Sequence, residues 1–319
     1  MALLRLVPDD TKFRFMWLRK VSFPLAIVLG LASIALFSTV GLNLGIDFKG
    51  GTIIELKTDG PADVSAIRSS LGELNLGDVQ VQQFGNPDEV LVRVEEQPGG
   101  ELAQQAVVAN IRDVFAEQKV EFRRVEVVGP SVSEELARAG TLAVAVSLLA
   151  ILIYIWVRFE WQFALGAILT TFNDVIVTIG LFVVLQLDFS LSSIAAVLTI
   201  IGYSLNDTVV VYDRIRENLR RYKKMSLSEL LDLSINETLS RTTMTSLTTL
   251  LALLALWIFG GEVIRSFTLA MIFGVVIGTY SSIFLAAPFL ILFNLRPDGK
   301  SSGDAGEDEG TEEPAPASA

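Results

Sequence analysis

Residues 190–212 read SLSSIAAVLTIIGYSLNDTVVVY, and this stretch decides the fold class. At 1.5 Å per residue such a run covers a hydrocarbon core of about 30 Å. It is apolar along nearly its whole length, yet it carries Asn206 and Asp207 in its second half. A charge at the bilayer centre costs roughly 2.5–3.5 kcal/mol on insertion, so a membrane helix that keeps a carboxylate is a functional candidate by default.

Working outward, five further stretches are long and apolar enough to span: 22–42, 136–157, 163–185, 242–259 and 265–294. The whole chain agrees, because 319 residues that are 51% hydrophobic, with mean hydropathy +0.52, cannot keep an ordinary surface in water. The first apolar run is too long for a signal peptide and no A-x-A site follows it, so it reads as a retained helix. Lys/Arg bias sets orientation. Arg5, Lys12, Arg14, Arg19 and Lys20 fall in residues 1–21, and Arg214, Arg216, Arg220, Arg221, Lys223, Lys224 and Arg241 fall in 213–241. A count of six puts both basic regions and both termini on the cytoplasmic side, with residues 43–135 exported.

The net charge of −11 is unevenly placed: residues 43–135 hold 17 Asp/Glu against 8 Lys/Arg, and the tail from Arg296 holds 7 against 2. No basic face for nucleic acid emerges. The absence of Cys and His removes disulfides, thiolate nucleophiles, His-based triads and His or Cys metal sites, so proton chemistry must run on carboxylates, Lys, Arg, Tyr and water. No G-x-x-x-x-G-K-[ST] sequence is present; neither nucleotide nor metal is expected as a cofactor, and the pattern is not that of an enzyme.

Residues 43–135 alternate in a readable order. Gly51–Leu56 is β-type, Asp63–Leu74 helical, Val79–Phe84 and Glu89–Glu96 are strands around Gly85-Asn86-Pro87-Asp88, Glu101–Glu117 is helical, and Val120–Val128 is a strand. That is βαββαβ, a ferredoxin-like unit. The expected fold is therefore an α-helical polytopic membrane protein of six spans with one exported α+β domain between the first and second. Its borders are turn-rich: Gly45, Asp47, Gly50 and Gly51 on one side, Gly129 and Pro130 on the other, read as a structural join or hinge. Residues 213–241 suit either a short amphipathic helix lying at the interface or a solvated connector. The tail 295–319 is expected to be disordered.

Few polar groups fall inside the spans. Asp174 sits mid-way in the third, Asp207 nearer the cytoplasmic end of the fourth, and Arg241 at the mouth of the fifth, followed by a Thr-rich run. Helical spacing puts Gly166, Thr170, Asp174 and Thr178 on one face; Ser193, Ala196, Ile200, Tyr203 or Ser204, and Asp207 on another; and Arg241, Thr245, Thr248 or Thr249, and Ala252 on a third. These faces can close together away from lipid. Burial favours a neutral acid and an approaching guanidinium favours the carboxylate, so movement of Arg241 relative to Asp207 would load or release a proton. An Asp can instead be interhelical glue, and Arg241 a snorkelling anchor. Gly274 and Gly278 mark a close helix contact in the sixth span.

Three stretches together resemble the SecF side of the SecD/SecF family: Gly45-Ile46-Asp47-Phe48-Lys49-Gly50-Gly51-Thr52, Val128-Gly129-Pro130-Ser131-Val132, and Ile201 through Asn218 with its Gly202-Tyr203-Ser204-Leu205-Asn206-Asp207 core. The resemblance covers about residues 15–295. It implies a proton-driven accessory of the Sec translocon, distantly related to the resistance-nodulation-division exporters. The implied partners are SecD, the SecYEG channel, YajC and YidC, the translocating polypeptide and membrane lipid. It also implies Asp207 as proton carrier, Arg241 as modulator and Asp174 at the span-three acidic position; beside them Asn206, Ser204, Thr245 and Thr248 are expected as hydrogen-bond or water-holding groups. Rival readings are a small-molecule or lipid exporter of the same superfamily, an intramembrane aspartyl protease using Asp174 and Asp207 as a dyad, and a scaffold that only stabilises its partner.

Overall fold

The computed structural model describes residue 8, residues 11–116, residue 118, residues 120–261 and residues 264–295. Apart from Leu295, the acidic tail lies outside the described residues, as does most of the first ten. The chain forms α1 (Phe15–Thr39) and the single-turn α2 (Ile46–Lys49), then β1 (Gly51–Thr58), α3 (Val64–Gly72), β2 (Val79–Gln83), β3 (Glu89–Val94), α4 (Glu101–Val114) and β4 (Val120–Val128). After these come α5 (Pro130–Arg158), α6 (Trp161–Leu185), α7 (Leu191–Arg221), α8 (Leu227–Phe259), α9 (Arg265–Ser281), a π-helical segment (Ser282–Ala286) and α10 (Ala287–Leu292). Six helices are long and apolar enough to cross a membrane, with α9 to α10 acting as one.

The globular domain has strand order β2-β3-β1-β4, antiparallel at every pairing, which is the ferredoxin-like arrangement. Strand alternation sends Ile54, Leu56, Val90, Val92 and Val94 to one face, where they pack on Ile67, Leu71, Val107, Ile111 and Phe115. Ile53 and Arg93, partners in the register, belong to the opposite face, which has no helix of its own. Asp63 starts α3 by accepting from the N–H groups of Ser65 and Ala66, both at 3.0 Å.

The helix ends depart from the sequence expectation in informative ways. Pro130 opens α5, six residues before the expected span, because its fixed φ and missing N–H suit the first turn. Residues 213–241 do not form a separate helix on the membrane plane. Instead α7 runs on to Arg221 and α8 begins at Leu227, so both extend beyond the apolar stretch as a helical hairpin. Leu230, Leu231 and Ile235, which gave the stretch its amphipathic look, pack against Tyr212 and Ile215 rather than against lipid. Polar bonds close the hairpin: Asn218 Nδ2 donates to Ser234 Oγ at 3.0 Å and to Glu237 Oε2 at 2.7 Å.

Arg14 has no side-chain acceptor to cap α1, and the cap is borrowed from α8. The Met16 N–H donates to Asp232 Oδ1 at 2.8 Å, and Asn236 exchanges two 2.9 Å bonds with the backbone of Phe13. At the other end of the chain Pro288 lacks an N–H, so the carbonyl of Phe284 loses its helical partner and the ladder widens into the π segment. Ser22 on α1 fills the gap, its hydroxyl donating to Phe284 O at 2.9 Å.

In the bundle, α6, α7 and α9 are the most buried helices, while α1, α5 and α8 expose large apolar side chains such as Trp17, Leu142, Trp156 and Leu251. Close approach is made by glycine. A side chain at Gly274 would collide with Ile200, and one at Gly278 would press on Ser204, so α9 lies directly against α7.

Candidate functional site

Gly166, Thr170, Asp174 and Thr178 all point inward from α6, as their spacing predicts. Asp174 is fully buried. Its Oδ2 accepts from Ser204 Oγ of α7 at 2.6 Å and from Ser281 Oγ of α9 at 2.7 Å. Oδ1 has no hydrogen-bond partner among the described residues. A membrane-interior acid is thus held by two neutral hydroxyls, one from each neighbouring helix.

Asp207 lies one turn beyond Ser204 on α7 and is 2% exposed. Its Oδ2 is buried without a hydrogen-bond partner among the described residues. Arg241, exposed at the edge of α8, is the cation that acts on it electrostatically. The two close no ion pair at 4.0 Å or less among the described residues. Beside them Tyr203 donates to Ser246 Oγ of α8 at 3.0 Å, and Ser246 shares a 2.8 Å bond with Thr279 Oγ1 of α9. Two short polar chains therefore leave adjacent residues of α7 and end two residues apart on α9. One runs from Tyr203 through Ser246 to Thr279, the other from Ser204 through Asp174 to Ser281.

The structure brings Asp174, Ser204 and Asp207 into the bundle interior and leaves the other expected residues at its margin. Asn206 is exposed, as is Thr248, whose hydroxyl donates to the Met244 carbonyl of its own helix at 2.9 Å. Thr245 is half-buried and bonds back to Arg241 O at 3.0 Å. The buried residues of this α8 stretch are Thr242 and Ser246, one turn apart. Asp174 spends Oδ2 on serines, and no bond to Asp207 joins the two carboxylates among the described residues, so the shared-proton dyad of an aspartyl protease is not assembled. Thr279 and Ser281 are not singled out by the sequence, and Ser246 is there only one of the polar run that follows Arg241. For Ser281 the signal was its place three residues after Gly278, one helical step along the close-contact stripe.

The join between helices and domain is built rather than loose. Gly50 has φ +73° and Gly51 φ +118°, and an added Cβ would meet Glu96 Oε2 at 2.5 Å and Val94 O at 2.5 Å respectively, so both positions need glycine. Gly45 N donates to Phe189 O at 2.9 Å, and Asp47 Oδ2 accepts the Leu191 N–H at 2.9 Å, at the start of α7. On the return side Gly129 is the extended N-cap of α5 and Pro130 its first residue.

Residues 94–296 match the family described as protein export membrane protein SecD/SecF, C-terminal, and residues 35–62 match the SecD/SecF GG motif. The protein translocase subunit SecF of Rickettsia felis is 48% identical over 303 residues, covering 93% of this chain and 97% of that one. SecDF of Brucella abortus is 49% identical, across 95% of this chain but only 40% of its own length. The crystal structure of SecDF from Thermus thermophilus superposes with a TM-score of 0.81 at 37% identity, over 90% of this chain and 39% of that one. SecDF in a super-membrane-facing form gives 0.67 at the same identity and coverage. Glycines at the join, an acid on the fourth membrane helix and a match over most of the length agree: the chain belongs to the SecD/SecF family of protein-export membrane proteins.

Proposed function

We propose that this chain is an accessory subunit of the Sec protein translocase. It pairs with SecD and draws on the proton motive force, not on a bound nucleotide or metal, to promote polypeptide export across the bacterial inner membrane. The observation that carries this reading is Asp207, buried in the bundle with an unsatisfied oxygen and within electrostatic reach of Arg241, with which it closes no ion pair among the described residues. A side chain so placed gains or loses a proton according to how close the guanidinium stands and whether water reaches it. Each proton that crosses the whole membrane is worth about 2.3 kcal/mol per 100 mV. In this reading both termini are cytoplasmic and the ferredoxin-like domain is the exported, mechanical output. SecYEG, YajC and YidC are the further partners, and the cargo is an unfolded chain.

The test is Asp207→Asn in proteoliposomes holding the chain, SecD and the channel. Export should lose its stimulation by an imposed proton gradient while the variant still co-purifies with SecD. Stimulation equal to that of the natural protein would leave the chain a scaffold.

A further inference from the structure

The face of the sheet that carries no helix looks onto the loop between α6 and α7, across a cavity of about 400 Å³ lined by Ile53, Leu91, Arg93, Asp188 and Leu191 among others. Polar bonds bridge this gap at several points. Arg93, in the middle of β3, places Nη2 2.6 Å from Asp188 Oδ1, with its side chain only 15% exposed. Asn43 Nδ2 donates to the same Asp188 oxygen at 2.8 Å and to Gln186 O at 3.2 Å, while its own Oδ1 accepts from Arg93 Nη1 at 3.4 Å. Leu44 and Phe189 form a parallel β-bridge, with Phe189 N donating to Asn43 O at 2.8 Å. The Asp47 carboxylate then sits on the first N–H of α7, where the helix dipole favours a negative charge.

Beyond that cap α7 is uninterrupted α-helix from Leu191 to Arg221. Asp207 therefore lies about 24 Å further along one stiff rod, at 1.5 Å rise per residue. A shift of the rod at Asp207 is a shift at Leu191, and what Leu191 and Asp188 hold are Asp47, in the turn that leads into the sheet, and Arg93 in the sheet itself. The two solved arrangements of SecDF, which this chain matches unequally at equal coverage, differ from each other over the matched part.

We propose that Asp47, Arg93 and Asp188 are positioning residues that clamp the sheet to the domain-side end of α7 and so deliver movement of that helix to the domain. The clamp itself is a matter of geometry, and its use in export rests on the proton-coupled reading above. Arg93 is the critical member because it reaches from the sheet to a loop 95 residues later in the chain.

The natural chain has no Cys, so two can be added cleanly. Spin labels at Gln83→Cys in β2 and Val184→Cys in α6 report the distance between domain and bundle in the full complex with SecD. Arg93→Asp should broaden that distance distribution, and the swap Arg93→Asp with Asp188→Arg should narrow it again. Gradient-driven export should fall at least about fivefold in the single variant, the lower end for coupling between sites, and recover in the swap. Should Arg93→Asp fail to accumulate, Asp188→Asn removes the same charge pair more gently. A distribution that stays narrow in the single variants overturns the clamp, and so does a swap that stays broad while still bound to SecD. Broadened distances with undiminished export overturn its role in delivery. If the labels behave as expected but export by the natural protein ignores the gradient, the clamp stands and the proton-coupled reading falls.

Discussion

Ser204 Oγ donates to Asp174 Oδ2 at 2.6 Å, and one turn along the same helix Asp207 keeps a carboxylate oxygen with no partner among the described residues. A single helix thus steadies one buried acid with its hydroxyl and carries another that is left unsatisfied. Rotation of α7 cannot change the surroundings of Asp207 without also pulling on Asp174, and through it on α9.

The two serines on Asp174 should be separable from the chemistry at Asp207. Ser204→Ala or Ser281→Ala removes one donor from a fully buried carboxyl, at a cost of about 1–3 kcal/mol. The double variant should cost less than the sum, because both donors share one oxygen. Thermal unfolding of the detergent-solubilised protein measures this, and strict additivity would mean that the serines do not act on a common group.

If export is proton-coupled as proposed, Arg241→Ala should move its pH dependence. A nearby cation favours the carboxylate, so the protonation balance of the acid at Asp207 depends on whether the guanidinium is present. Activity recorded between acid and alkaline pH for both proteins tests this, and superimposable profiles would remove Arg241 from the mechanism.

Helix contact through α9 predicts a contrast between two glycines. Gly274→Leu drives a side chain into Ile200 and should destabilise by about 1–3 kcal/mol, as overpacking does. A Cβ added at Gly202 on α7 meets nothing within 4 Å among the described residues, so Gly202→Ala should unfold at nearly the natural temperature. Equal losses in a thermal scan would contradict the packing described.

At the join, Gly51→Ala adds a clash with the Val94 carbonyl to an unfavourable φ of +118°, whereas Gly60→Ala at φ +114° meets only the backbone strain. Strain alone costs roughly 1–2 kcal/mol. Limited proteolysis should therefore cut the domain of Gly51→Ala much faster than that of Gly60→Ala, and similar rates would argue against a tight join.

Much of this architecture was legible because membrane and sheet impose strict periodicities. The six spans announce themselves by length and apolarity, the βαββαβ order by its alternating periods, and Asp174 and Asp207 by being acids where acids are costly. What stayed hidden depends on pairing between distant residues. Leucines at 227–235 look the same whether they meet lipid or another helix, and only the partner surface on α7 decides it. Ser281 and Ser246 are ordinary helical hydroxyls until a neighbouring helix supplies Asp174 or Tyr203. Arg93 is one charge in an acidic domain until folding brings Asp188 to it.

The borrowed start of α1 bears on how the protein is made. Its opening N–H groups are met by Asp232 and Asn236, more than 200 residues later, and its Ser22 bonds to Phe284 in the last span. A ribosome delivers those partners only after three or four further spans have been made. Through most of synthesis the first helix can therefore rest against α6, where Gly180 lies directly on Ser33, while the bonds at its start and at Ser22 stay unmet. Chains truncated before Phe284 should keep the α1–α6 contact and lose only the late bonds, so the first helix is fastened in two stages.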